Sequence, residues 1–199
     1  MTLTPLLQEL INSLRCLPGV GYRSAQRMAF HLIERDRKGA RSLSRALGNA
    51  LEKVDYCTRC RNLSETPLCL YCTRPNRDES LLCIVECPAD LLAIEQTTVF
   101  KGRYFVLMGR LSPLDGLGPE ELGIELLITL LNQGDIKEVV IATNTTVEGE
   151  ATAHYLSQLV KTRHIKASRI AHGIPLGGEL EFIDSTTLGQ ALTARTEII

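Results

Sequence analysis

The chain has 199 residues, 44% of them hydrophobic and 23% charged, so it can bury a core and is not a disordered polyelectrolyte. No apolar run approaches the ~18 residues of a bilayer span, since the best one, Ile124 to Leu131, is broken by Glu125. Met1-Thr2-Leu3-Thr4 lacks the basic flank and cleavage site of a secretory signal, so the expectation is a cytoplasmic protein. The net charge of −1 conceals a division: residues 1–61 carry 11 Lys and Arg against 5 Asp and Glu, and residues 62–199 carry 11 against 18. A basic end suits a polyanion and an acidic remainder suits something else, although a solvated helix face produces the same asymmetry.

Leu3, Leu6, Leu7, Leu10, Ile11 and Leu14 recur at helical spacing and predict an opening amphipathic helix. Pro18 with Gly19 and Gly21 stops it. A second helix is expected over Ser24–Ile33, with Ala25, Met28, Ala29 and Leu32 inward, and a third over about 40–54, carrying Leu43, Leu47, Ala50 and Leu51 on one side. Residues 55–78 hold four of the seven cysteines and read as a small loop-rich module. From Leu81 onward strands alternate with helices. Strands are expected at Leu82–Val85, Tyr104–Met108, Glu138–Ala142 and Ser168–Ala171, with helices at 89–96, 120–132 and about 150–160. That alternation predicts a parallel sheet covered on both faces. The fold class is therefore α/β multidomain: helical residues 1–54, a cysteine module at 55–78, a sheet domain at 79–175 and a C-terminal strand/helix segment at 176–199.

Leu17-Pro18-Gly19-Val20-Gly21, with Arg23 and Ala25 after it, has the form of a helix-hairpin-helix. Gly19 and Gly21 let the turn tighten and expose backbone N–H groups, while the following helix aims its positive end the same way. Arg23 and Arg27, four apart on that helix, can flank a phosphate. Such contacts grip DNA without choosing sequence. A plain helix–helix turn with exposed arginines is the rival reading.

Cys57-x2-Cys60 and Cys69-x2-Cys72 form two knuckle pairs eight residues apart. Each pair presents two sulfurs to one point, and four thiolates complete a tetrahedral zinc site. Disulfides or a redox pair are the alternatives, disfavoured in a reducing compartment and by the presence of two copies. With all four positions filled by protein, such a zinc is structural. Cys83 reads as core filling. Cys87, at a strand end, has no His near it in sequence, and His31, His154, His164 and His172 are scattered.

Glu86 ends the first sheet strand, and Asn144-Thr145-Thr146-Val147-Glu148-Gly149-Glu150 follows the third. This arrangement resembles a Toprim domain, the metal-dependent fold of topoisomerases and primases. In that family a Glu ends the first strand and Asp-x-Asp-x-x-Gly follows the third. Glu86 and Gly149 match, whereas Asn144 and Thr146 stand where the two aspartates belong. Two formal charges are thereby lost from a Mg²⁺ site. Glu148 and Glu150 offer partial compensation, and Asp90 or Asp115 are candidates to approach the same crevice, so Mg²⁺ binding is left open.

The order hairpin, four-cysteine finger, Toprim-like sheet is similar to the RecR family of bacterial recombination mediators. The resemblance covers nearly the whole chain, including Tyr104–Gly109, Leu111–Gly116, Thr146–Ala151 and Gly177-Gly178-Glu179-Leu180. Thr145 stands where the family commonly has Pro, and Cys87 where Ser is more usual. The resemblance implies a non-catalytic, homo-oligomeric protein forming a ring, expected to be tetrameric, with the hairpin region and the oligomerisation segment 176–199 joining subunits, and associated with the nucleoid. It implies action with RecO and, in some pathways, RecF to load RecA onto single-stranded DNA. It further implies DNA contacts at Gly19, Gly21, Arg23 and Arg27, zinc at Cys57, Cys60, Cys69 and Cys72, and partner docking at Glu86, Glu148 and Glu150. A Mg²⁺-dependent nuclease or topoisomerase-like enzyme centred on Glu86 is the alternative.

Overall fold

The hydrophobic periodicity resolves into eight helices and six strands in the computed structural model, which describes residues 3–171, 173–174, 177 and 179–194. His172 lies outside the described residues, as do Gly178 and residues 176 and 195–199 of the expected C-terminal segment. The chain divides into two units, residues 1–54 and 55–199.

The first unit is helical: α1 (Pro5–Leu14), α2 (Tyr22–Phe30) and α3 (Arg37–Lys53). Ile11, Ala25 and Ala29 are buried, and Leu3, Leu7, Leu10, Leu14 and Val20 pack around them. Alanines at two successive turns of α2 let α1 approach closely. Met28, expected inward, is 40% exposed. The second helix does not run regularly to Ile33, because a π-turn at His31–Arg35 takes over after Phe30. The wider turn rotates the apolar stripe, and Ile33 is 41% exposed. Asp36 then caps α3, accepting from the Gly39 N–H at 2.7 Å. The expected one-sided stripe of α3 exists, but none of the described residues of the unit covers it: Leu43, Leu47 and Leu51 are 54%, 58% and 77% exposed.

The second unit opens with a two-stranded antiparallel ribbon, β1 (Asp55–Tyr56) and β2 (Leu63–Ser64), and a one-turn helix α4 (Leu70–Thr73). Its sheet has four parallel strands, β3 (Asp78–Val85), β4 (Gly102–Val106), β5 (Glu138–Ala142) and β6 (Lys166–Arg169), in the order β4-β3-β5-β6. Helices α5 (Pro88–Gln96), α6 (Ile124–Leu131) and α7 (Val147–Lys161) make the crossovers, and α8 (Ser185–Thr193) follows. Alternate residues serve opposite faces, as a pleated strand requires. Leu82 and Ile84 of β3 join α6 and α7 through Leu127, Leu131, Leu156 and Val160. Cys83 and Val85 point the other way, to Leu91 of α5 and Tyr71 of the cysteine module. The sheet is thus covered on both faces. Among the described residues no helix is long and apolar enough to cross a membrane.

Candidate functional site

In the hairpin, Gly19 takes a left-handed φ of +75°, which an L side chain adopts only under strain. The turn closes through the Val20 N–H on the Leu17 carbonyl at 3.1 Å. Gly21 has ordinary extended angles (φ −78°, ψ 172°) as the residue before α2, so only the first glycine supplies a special conformation. No side chain caps the start of α2. The helix begins two residues earlier than the sequence suggests, which puts Arg23 in its first turn and Arg27 one turn on, both exposed. Arg37, Lys38, Arg41 and Arg45 of α3 are exposed as well. These four were visible in sequence only as part of a charge total.

The four cysteines converge. Their sulfurs all lie within 4.8 Å of one another, with Cys57–Cys72 at 3.8 Å and Cys60–Cys69 at 3.4 Å. Thiolates around a tetrahedral zinc at about 2.3 Å stand about 3.8 Å apart, so the donor set fits that ion with little adjustment. Cys57, Cys60 and Cys69 are buried. The knuckles are shaped by backbone bonds: Cys57 N–H to the Asn62 carbonyl at 2.7 Å, Cys72 N–H to the Cys69 carbonyl at 3.0 Å. The Cys69 N–H donates to the Cys57 sulfur at 3.3 Å. Hydrogen bonding with Cys69 and Cys72, then burial, pushes the Cys60 thiol up, while the same Cys60 contact drives Cys69 down. Four thiolates this close repel one another, and a dication is what lets all four be deprotonated together.

The module is stitched to the sheet. The Val106 N–H donates to the Cys60 carbonyl at 2.8 Å. Arg61 reaches the carbonyls of Leu107 at 3.0 Å and Glu121 at 2.9 Å.

The third cluster sits at the carboxyl ends of β3 and β5. The connection from β3 runs to β4 and that from β5 runs to β6, in opposite directions across the sheet, so the gap between them is the switch point where open α/β sheets hold ligands. Glu86 is only 5% exposed. Its Oε1 accepts from the Asn144 main-chain N–H and its Oε2 from the Asn144 side-chain amide, both at 2.8 Å. Two donors of one residue therefore occupy both carboxylate oxygens where a cation would be expected to sit. Thr146 caps α7, accepting from the Gly149 N–H at 3.1 Å. Gly149 is sterically required, since a Cβ there would lie 2.1 Å from the Asn144 carbonyl oxygen and 2.9 Å from Glu86 Oε1.

The remaining acids do not complete a magnesium shell. Glu148 is half-buried in the first turn of α7, and exposed Glu150 pairs with Arg169. Asp90 caps α5, accepting from the Cys87 N–H at 3.0 Å and thiol at 3.2 Å. It does line, with Asn144, Thr145 and Arg169, a cavity of about 290 Å³ beside the strand ends. Asp115 is held by Ser112 at 2.7 Å in the loop after β4 and lines no part of that cavity. Neutral donors at Asn144 and Thr146 and an engaged Glu86 do not fit a hard dication. Burial pushes the Cys87 thiol up and holds Cys83 at about 12, so neither is an activated nucleophile. The Asn144 clasp was not foreseeable from residue type, because an amide at a strand end reads only as a missing charge.

Comparisons with known proteins agree with this assembly of parts. A Toprim-domain model matches residues 80–171, a RecR helix-hairpin-helix model residues 7–51 and a RecR C-terminal model residues 173–196. The recombination protein RecR of Saccharophagus degradans is 58% identical over 195 residues, covering 98% of this chain and 99% of that protein. RecR of Xanthomonas euvesicatoria pv. vesicatoria is 54% identical over 197 residues, covering 99% and 100%. With a hairpin, a four-cysteine cluster and a Toprim sheet in one chain, and likeness over nearly its full length, this protein belongs to the RecR family of recombination proteins.

Proposed function

We propose that this chain is a DNA-binding mediator of recombinational repair that holds a strand and a partner protein and transforms neither. It acts with RecO, and with RecF where that pathway operates, to promote RecA loading on single-stranded DNA in the cytoplasm, at the nucleoid. The observation that carries the non-catalytic part is the Asn144 clasp on both oxygens of Glu86. The alternative, a Mg²⁺-dependent nuclease or topoisomerase-like enzyme centred on Glu86, needs that carboxylate open to a cation.

The DNA contact is the hairpin of Gly19 and Gly21 with Arg23 and Arg27 exposed on α2. Two phosphate contacts hold DNA weakly at physiological salt, and several copies in one assembly raise the grip through effective concentration. The exposed leucines of α3 supply an apolar stripe for that assembly, and a tetrameric ring is the form proposed. One structural Zn²⁺ per chain sits on Cys57, Cys60, Cys69 and Cys72. Partner docking is proposed at the Toprim strand ends, with half-buried Glu148 and exposed Glu150 as its surface acids and Glu86 as the buried support of the loop that carries them.

The test is a salt series of DNA binding by fluorescence anisotropy, with Mg²⁺ present and the DNA recovered afterwards. Arg23→Gln with Arg27→Gln is expected to weaken binding and make the log affinity–log salt slope shallower by roughly 1.4–1.8, the share of two phosphates. The DNA is expected to come back intact. An unchanged slope, or cleavage that disappears in Glu86→Gln, overturns the reading.

A further inference from the structure

The acidic excess of the second unit is not uniform. Beside the cysteine module lies a cleft of about 230 Å³ lined by Arg74, Asn76, Arg77, Glu95, Phe100 and Lys101, among others. Glu95 is the only acid in that lining, and it is committed elsewhere. It meets Arg77 at 2.5 Å in a pair whose side chains are 8% and 14% exposed. It also accepts from the Tyr104 hydroxyl at 2.7 Å. Arg77 Nη1 donates to the carbonyls of Phe100 and Gly102. That pair is a structural staple, neutral as a unit.

Arg74 is the surplus. It reaches the same Glu95 oxygen at 3.0 Å, but its side chain is 56% exposed. Its guanidinium lies over the Tyr71 ring at 5.2 Å, which holds the planar group in place at low entropic cost. Only one of its nitrogens has a hydrogen-bond partner among the described residues. Exposed Lys101 has no ion pair among the described residues. The cleft therefore carries three cations, Arg74, Arg77 and Lys101, against the single carboxylate of Glu95, with the Arg74 guanidinium fork preoriented and the half-buried Phe100 ring lining it.

We propose that this cleft is a second polynucleotide contact, in which Arg74 and Lys101 take the phosphodiester backbone of a strand. It rests on the DNA-binding reading above and adds to the hairpin a grip on the other unit of the same chain. A guanidinium fork and an ammonium facing one cleft suit phosphate oxygens, and such contacts carry no base preference.

The experiment uses the full chain, a labelled thymidine homopolymer and a duplex of equal length, across a salt series. Arg74→Gln with Lys101→Gln is expected to leave zinc content and melting unchanged and to make the single-strand slope shallower by about 1.4, at 0.7 per phosphate. Lys101→Gln alone, a change at an exposed side chain, is expected to give about half that shift. Acetylation of Lys101 is expected to be suppressed several-fold by bound DNA. If the hairpin variant loses binding while the cleft variants keep the wild-type slope and Lys101 labels equally with and without DNA, the cleft proposal falls and the DNA-binding reading stands. If the wild type itself ignores DNA, both fall. If an acidic peptide protects Lys101 and DNA does not, the cleft is a protein site and the proposal is overturned.

Discussion

Asn144→Asp restores the residue that a catalytic Toprim site would carry and places a second carboxylate against Glu86. The amide donates to Glu86 Oε2 at 2.8 Å and Glu86 is nearly fully buried. Losing a hydrogen bond to a charged group costs about 1.5–3 kcal/mol. Repulsion between the two carboxylates adds on the order of 1 kcal/mol after solvent screening, since Asn144 itself is exposed. The sum, roughly 3 kcal/mol, lowers the melting temperature by about 6–12 °C for a unit of this size. The cost is pH-dependent in a stated sense. Crowded carboxylates raise the folded-state pKa of the pair above its unfolded value, so the penalty is full at neutral pH, shrinks as pH falls through that raised value and is gone below the unfolded value of about 4. Mg²⁺ should restore part of the loss in this variant and leave the wild type unmoved, because only the variant presents two carboxylates to it. The assay is thermal unfolding at pH 7.5 and pH 4.5, with and without Mg²⁺. A variant as stable as the wild type at pH 7.5 would refute the clasp. Magnesium stabilisation of the wild type would refute the argument that the present donor set is wrong for it.

Two further outcomes bear on the other sites. Chelation, or Cys60→Ser, is expected to remove the zinc proposed for the four cysteines and lower the melting of the sheet as well as the finger, since the Cys60 carbonyl and Arg61 bind directly to residues 106, 107 and 121; metal analysis with calorimetry checks it. Leu47→Glu, in the centre of the exposed α3 stripe, is expected to shift the protein to a smaller species in light scattering without loss of helicity, because each leucine buried at an interface contributes about 1.5–3 kcal/mol.

Much of the local structure was legible before any coordinates. Pro18 with Gly19 stops α1, Cys57-x2-Cys60 and Cys69-x2-Cys72 announce a tetrahedral cluster, and alternating apolar runs mark the sheet. Boundaries moved where a backbone bond outranked side-chain pattern. The start of α2 at Tyr22 is set by the Ala25 N–H on the Gly21 carbonyl, and the π-turn after Phe30 follows no hydropathy signal. The inward placement of Met28 failed because alanines, not methionine, fit the close crossing with α1.

What the sequence determined by itself is whatever depends on spacing along the chain: helix and strand periods, knuckle pairs, the left-handed turn that asks for glycine. What only the tertiary structure decided is whatever depends on which distant groups share one dielectric pocket. Glu86 and Asn144 are 58 positions apart, and nothing in either residue's neighbours says that the main-chain N–H and side-chain amide of one will fill both oxygens of the other. The same holds for Glu95, whose commitment to Arg77 leaves Arg74 as spare charge. Hydrogen bonds and ion pairs act over a few ångströms, so their partners are fixed by how the strands are ordered in the sheet and not by the order of residues.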